Sequence, residues 1–188
     1  METVTRGFIF VLFLALVPVH MSAAPPQGEI AAGEYQIKAA FLQHFAQFVE
    51  WPADALPPNA PIVIVLVGDD PFGRAIDDVV AGKRANGHPL VIRHLRWNEP
   101  VAGCQMIFIS SSELQHLGAI LAAARGLSVL TVADVDRFTQ RGGMIELMTE
   151  QHRVRFDVNP AAAAVAHLRI SSKLLQVARA IRDSEEVR

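Results

Sequence analysis

The sequence predicts an α/β fold: a single three-layer domain with a mostly parallel central sheet of about six strands, an antiparallel edge hairpin and long N- and C-terminal helices. Three observations predict it. Residues 62–67 and 103–109 are apolar with almost no alternation, which suits strands covered on both faces. Helical periodicity separates such runs, with joins short enough for right-handed βαβ crossovers. Residues 153–158 alternate strictly and follow the run 144–149 through Glu150-Gln151-His152, the pattern of a hairpin whose turn lacks glycine.

The N-terminus reads as a targeting segment. Arg6 precedes an unbroken apolar run over residues 8–17, Pro18 ends it, and Met21-Ser22-Ala23-Ala24 offers small residues for cleavage. The run is too short for a hydrocarbon core of about 30 Å, so residues 1–24 are expected to be a signal peptide, a retained anchor being the alternative. No cysteine follows the run, which excludes lipid attachment there. The protein is then expected in a periplasm. About 165 residues remain, enough for one core, and residues 29–183 form the expected domain.

Composition narrows the function classes. The formal net charge is −2 with acids and bases interspersed, so there is no basic patch for nucleic acid. Cys104 is the one cysteine and cannot close a bridge within the chain. Its place beside the apolar run 106–109 marks it as a buried, inert thiol, with an intermolecular bridge as the alternative.

The elements follow in order. Over residues 29–50 the helical period puts Ile30, Ile37, Phe41, Phe45 and Phe48 on one face, expected to be core, and Gln36, Gln43, Gln47 and Glu50 opposite. Trp51-Pro52 stops that helix, because proline disfavours helical geometry in the residue before it. A proline-rich loop leads to the first buried strand, 62–67. Asp70-Pro71 can cap the next helix, which runs through Ile76, Val79 and Val80. Residues 90–95 make a second, more exposed strand and 103–109 a third. Ser110-Ser111-Ser112-Glu113 opens a helix ending at Gly126, and 128–132 is a fourth strand. Asp134 caps a short turn through Phe138. After the hairpin, Asn159-Pro160 starts one helix over 159–181, with Arg169, Ser172, Lys173, Gln176 and Arg179 on a polar stripe. Ser171 faces the core there, its hydroxyl bonding back to a carbonyl four residues earlier.

Catalytic constellations do not assemble. Of seven histidines, His20 lies in the leader, and His44, His88, His94, His116, His152 and His167 form no pair at metal-ligand spacing. There is no Gly-x-Ser-x-Gly elbow, and Gly68-x-x-x-x-Gly73 is followed by Arg74-Ala75 rather than Lys-Ser/Thr. No catalytic residue, metal site or cofactor is expected. Asp69-Asp70 after a buried strand is similar to a phosphoryl-accepting receiver, but the third strand ends in Ser110 and the fourth runs through Thr131. A lobe of a solute-binding protein is the stronger alternative, with a small-molecule pocket at the strand ends formed by Asp69, Asp70, Ser110 and Asp134.

Several segments together resemble the YfiR family of periplasmic regulators: residues 41–52, 67–73, 107–110, 142–145, 154–160 and 170–175. They span the mature chain in order. The resemblance implies a non-enzymatic, often dimeric repressor that binds the periplasmic domain of an inner-membrane diguanylate cyclase, lowering cyclic-di-GMP output and biofilm formation. It further implies that an outer-membrane lipoprotein can sequester the repressor. Some members carry disulfide pairs, which the lone Cys104 cannot supply. A partner site would be an apolar patch with anchoring side chains on rigid elements. The hairpin and the last helix offer Met144, Glu150, Phe156, Arg169 and Lys173, with Phe156 as core and the charges as solvated groups being the plain alternative.

Overall fold

The structure, a computed structural model, describes residues 27–181. The signal-peptide reading of residues 1–24 lies outside them. The elements are α1 (Gln27–Phe48), β1 (Val49–Glu50), β2 (Ile62–Val67), α2 (Arg74–Val80), β3 (Arg84–Ala85), β4 (His88–Leu95), β5 (Met106–Ile109), α3 (Leu117–Ala124), β6 (Leu130–Ala133), β7 (Ile145–Glu150), β8 (Arg153–Val158), α4 (Pro160–Val165), β9 (Arg169–Ile170), α5 (Ser172–Val177) and β10 (Ala180–Ile181).

The main sheet has eight strands in the order β10-β8-β7-β6-β5-β2-β4-β3, and β1 pairs with β9 apart from it. Neighbours from β4 through β2, β5 and β6 to β7 are parallel, and β7–β8 is the antiparallel hairpin. The central strands lack alternation because both faces are covered. Ile62, Ile64, Leu66, Met106 and Phe108 join one core with Leu42, Phe45, Ile76 and Leu174 from α1, α2 and α5. Val65, Val67, Ile107 and Ile109 join a second core with Leu117 and Ile120 of α3. Helices on both faces make the three expected layers.

Cys104 is buried in the second core, and burial pushes its thiol up to about 11. A thiol held protonated this way is a poor nucleophile. Gln105, also buried, fastens the proline-rich loop. Its side chain accepts from the Val63 N–H (2.9 Å) and donates to the Ala55 carbonyl (2.8 Å), while the Trp51 indole donates to its backbone carbonyl (2.9 Å).

The connection from β6 to β7 has no long helix, only a 3-10 turn at Thr139–Arg141. The buried Glu146 carboxylate organises it, accepting from the Arg137 N–H and from both the N–H and hydroxyl of Thr139. Phe138 folds beneath Gly143, where a Cβ would lie 2.2 Å from its ring. That close approach is why glycine stands there.

The hairpin turn is Gln151-His152, both left-handed (φ 49° and 60°), as a type I′ turn requires even without glycine.

Several expectations need correction. The sheet has eight strands rather than about six, because the two-residue β3 and β10 are too short to leave a period, and β10 rather than the hairpin forms that edge. Ser111–Glu113 is a 3-10 turn, with α3 starting only at Leu117. The single helix over 159–181 is instead α4, β9, α5 and β10. Asn159 does cap α4, its side chain accepting from the Ala162 N–H at 2.9 Å. The helix then closes through a Schellman arrangement: His167 turns left-handed (φ 58°), and the Leu168 N–H reaches the Ala163 carbonyl at 2.9 Å. Arg169 and Ile170 leave to pair with Glu50 and Val49. Ser171 restarts the helix as an N-cap, its hydroxyl accepting from the Lys173 N–H at 3.3 Å rather than bonding backwards. Ile37, expected in the core, is 48% exposed.

Candidate partner-binding surface

Helix α1 carries more apolar residues than one buried face needs. Leu42, Phe45, Ala46 and Val49 are buried in the first core. Ile37, Phe41, His44 and Phe48, at helical spacing, form an adjacent stripe that stays partly or fully exposed. This second stripe borders β8 and α5. Phe41, Phe48, Phe156, Leu174 and Val177 line a mainly apolar groove of about 200 Å³, with His44 and Lys173 at its sides. A second depression of about 240 Å³ continues past Phe41, Phe156 and Val177 to Arg153, Val154 and Arg155.

The floor is rigid. Phe156 is 2% exposed and meets Phe41 at 5.4 Å and Phe45 at 5.2 Å between ring centroids, both edge-on, the favoured arrangement of aromatic pairs. Val177, by contrast, is 69% exposed beside it. The exposed cations Arg153, Arg155 and Lys173 rim the two depressions, and none has an ion-pair partner among the described residues.

The five residues expected for partner binding separate in space. Phe156 and Lys173 meet in the groove, one as floor and one as rim. Glu150 pairs with Arg179, whose guanidinium also grips the buried Asp157 carboxylate (Nε–Oδ1 2.8 Å) and is thereby held still more firmly charged. This clamp ties β10 to the hairpin. Arg169 lies 3.5 Å from Glu50, both well exposed. Met144 is buried and lines a cavity elsewhere, beside α4. Sequence reading missed Val177 and the exposed half of α1. The signal was the width of the α1 apolar arc, which exceeds one core-facing stripe.

The four residues expected to form a ligand pocket sit on loops at the carboxyl edge of the parallel strands, and other side chains occupy that edge. The Asp69 N–H donates to Ser112 Oγ (3.0 Å), and the Asp70 carboxylate accepts from the N–H groups of Phe72 and Gly73. Its other oxygen lies 3.3 Å from His94 Nε2. Ser110 is buried and caps the following 3-10 turn. At Gly68 a Cβ would lie 2.5 Å from Glu113 Cγ, so Glu113 packs directly over the end of β2.

Asp134 does not cap the turn after β6. Its Oδ2 accepts from the Tyr35 hydroxyl (2.7 Å) and Lys38 Nζ (3.0 Å), while Oδ1 is buried without a partner. Lys38 reaches Glu34 as well, at 2.6 Å. Burial, and then the hydrogen bond it donates to the Asp134 carboxylate, raise the Tyr35 phenol above its ordinary value. This cluster fastens α1 to the sheet. Among the described residues no group of three or more His, Cys, Asp or Glu is placed to hold a metal ion. Among the same residues no helix is long and apolar enough to cross a membrane.

Comparison with known proteins adds to this geometry. No curated protein matches the chain. A solved structure of a conserved domain protein from Vibrio cholerae O1 biovar El Tor is similar, with 10% identity and a TM-score of 0.53 over 79% of this chain and 60% of that one. An ABC domain in complex with L-Trp from Streptococcus pneumoniae gives 12% identity and a TM-score of 0.49 over 69% of this chain and 58% of that one. The chain thus spans about three fifths of the length of each. The first likeness supports the fold alone. The YfiR/HmsC-like family model matches residues 35–179. That match takes in α1 from Tyr35 onward, the groove and every strand of the sheet but β10, and the chain belongs to the YfiR/HmsC-like family, a regulatory rather than catalytic family of periplasmic proteins associated with control of diguanylate cyclases.

Proposed function

We propose that this protein represses an inner-membrane diguanylate cyclase by binding its periplasmic domain, so that cyclic-di-GMP signalling and biofilm formation fall while the repressor is free. The observation that carries the reading is the groove between α1, β8 and α5, which combines a rigid aromatic floor, the exposed Val177 and a rim of unpaired cations. Such a surface suits a partner segment with an apolar face flanked by acids. Family membership supplies the class of partner. In this reading export through residues 1–24 brings the protein to the periplasm. It acts there as a homodimer, and an outer-membrane lipoprotein relieves repression by sequestering it.

Deletion of the gene should raise cyclic-di-GMP, and a wild-type copy should restore the low level. Val177→Glu, a change at an exposed site, should leave the circular-dichroism spectrum and Tm close to wild type yet fail to restore repression. Unchanged cyclic-di-GMP on deletion, with the cyclase intact, would refute the reading. Full complementation by Val177→Glu would remove the groove from it.

A further inference from the structure

A second cavity lies on the opposite edge of the sheet from Asp134, at the amino ends of β6 and β7. Its volume is about 170 Å³. Leu121, Met144, Ala162 and Val165 give it an apolar lining. Arg125, just after α3, and Arg141, at the end of the 3-10 turn before β7, also line it. Both arginines are exposed, and neither has an ion-pair partner among the described residues. The buried Thr131 hydroxyl at the same cavity accepts from the Met144 N–H (3.0 Å), and no described group accepts its own proton.

A helix terminus explains one cation at such a place. It does not explain two guanidinium groups and a spare hydroxyl around one apolar cavity. The geometry points to a binding site for a small monocarboxylate with a compact apolar body, held by Arg125 and Arg141 at the carboxylate and by Leu121, Met144 and Val165 along the body. Size narrows the class. A cavity of roughly 150 Å³ takes benzene, so a phenyl or branched alkyl group fits and a drug-sized ligand does not. Charge narrows it again. No acidic side chain lines the cavity, so the ammonium of a free amino acid finds no opposite charge there and meets two cations. A plain carboxylate is therefore preferred to the amino acid with the same body. The site shares no lining residue with the groove between α1, β8 and α5 and stands without the repressor reading.

The test is calorimetric titration and thermal unfolding of the purified protein with 3-phenylpropanoate, 3-phenylpropan-1-ol and phenylalanine. The carboxylate should bind and raise Tm in a concentration-dependent way, and the alcohol and the amino acid should bind at least about tenfold more weakly. Arg125→Gln and Arg141→Gln, both at exposed positions that keep the fold, should each weaken carboxylate binding by about tenfold. Ala162→Phe, which fills the cavity, should abolish binding while its unliganded Tm reports that the fold is kept. Absence of binding, equal binding of the alcohol, or unchanged binding in both arginine variants would each overturn the assignment.

Discussion

The two edges of the parallel sheet handle charge in opposite ways. At the carboxyl edge, Glu34, Lys38, Tyr35 and Asp134 pair with one another, with only Asp134 Oδ1 left over, Asp70 turns to its own loop, and Glu113 lies across Gly68. At the amino edge Arg125 and Arg141 stand unpaired around an open cavity. Open α/β sheets tend to bind ligands outside the carboxyl ends, where strand order reverses, which here is between β2 and β5. That tendency holds only where the space is vacant. In this protein α1 closes one stretch of the edge and Glu113 another, so those side chains serve the fold. A strand-end position nominates a site, and the neighbouring side chains decide whether it stays open.

The sharpest way to break this contrast is Asp134→Ala. It leaves Lys38 buried with only Glu34, and removing one partner of a buried pair costs about 3–5 kcal/mol. Urea unfolding should show that loss, whereas Arg141→Gln at the opposite edge should change stability by no more than about 0.5 kcal/mol. A loss below about 1 kcal/mol for Asp134→Ala would mean that the cluster does not fasten α1.

Gly143→Ala comes next. Its new methyl would meet the buried Phe138 ring, an overpacking worth about 1–3 kcal/mol. A Tm equal to wild type would show that Phe138 moves aside.

The smallest effect is pH-dependent. Burial pushes the Glu34 carboxyl up, but the hydrogen bonds from Lys38 and Thr149 and the Lys38 charge outweigh it, leaving its pKa below the ordinary value. A depressed carboxylate stabilises the fold above its unfolded pKa, about 4.3, and that contribution disappears as pH falls through the folded value. The urea midpoints of wild type and Glu34→Gln should therefore differ most near pH 7 and converge on acidification. A gap that widens towards pH 4 would reverse the assignment.

Sequence alone reached the parts of the fold governed by local pattern. The apolar runs of β2 and β5 and the alternation of β8 identify those strands, since burial on two faces or one writes itself into residue order. The C-terminal stretch misled because Ala161–Ala164 and the apolar residues after them fit a helical template. The left-handed turn at His167 and the Ser171 cap override it, with β9 rewarded by pairing to β1. At the sites, Phe156 and Lys173 line one groove, whereas Met144, Glu150 and Arg169 lie elsewhere. Lys38 and Asp134 do not declare themselves, being 96 residues apart, and nothing in either neighbourhood of the sequence names the other. The Arg125–Arg141 cavity was hidden because its lining also draws on α4, and no pattern in the residue order joins these segments.

Helix α1 comes first among the described elements, yet later residues fix its middle and its C-terminal end. Lys38 waits for Asp134, and the Phe48 carbonyl accepts from the Ser171 N–H (2.9 Å) as β1 meets β9. A nascent chain therefore cannot lock α1 into place as it emerges. The helix is held through contacts of high sequence separation, which favours slow folding. The first of the described helices is thereby among the last to be held in place.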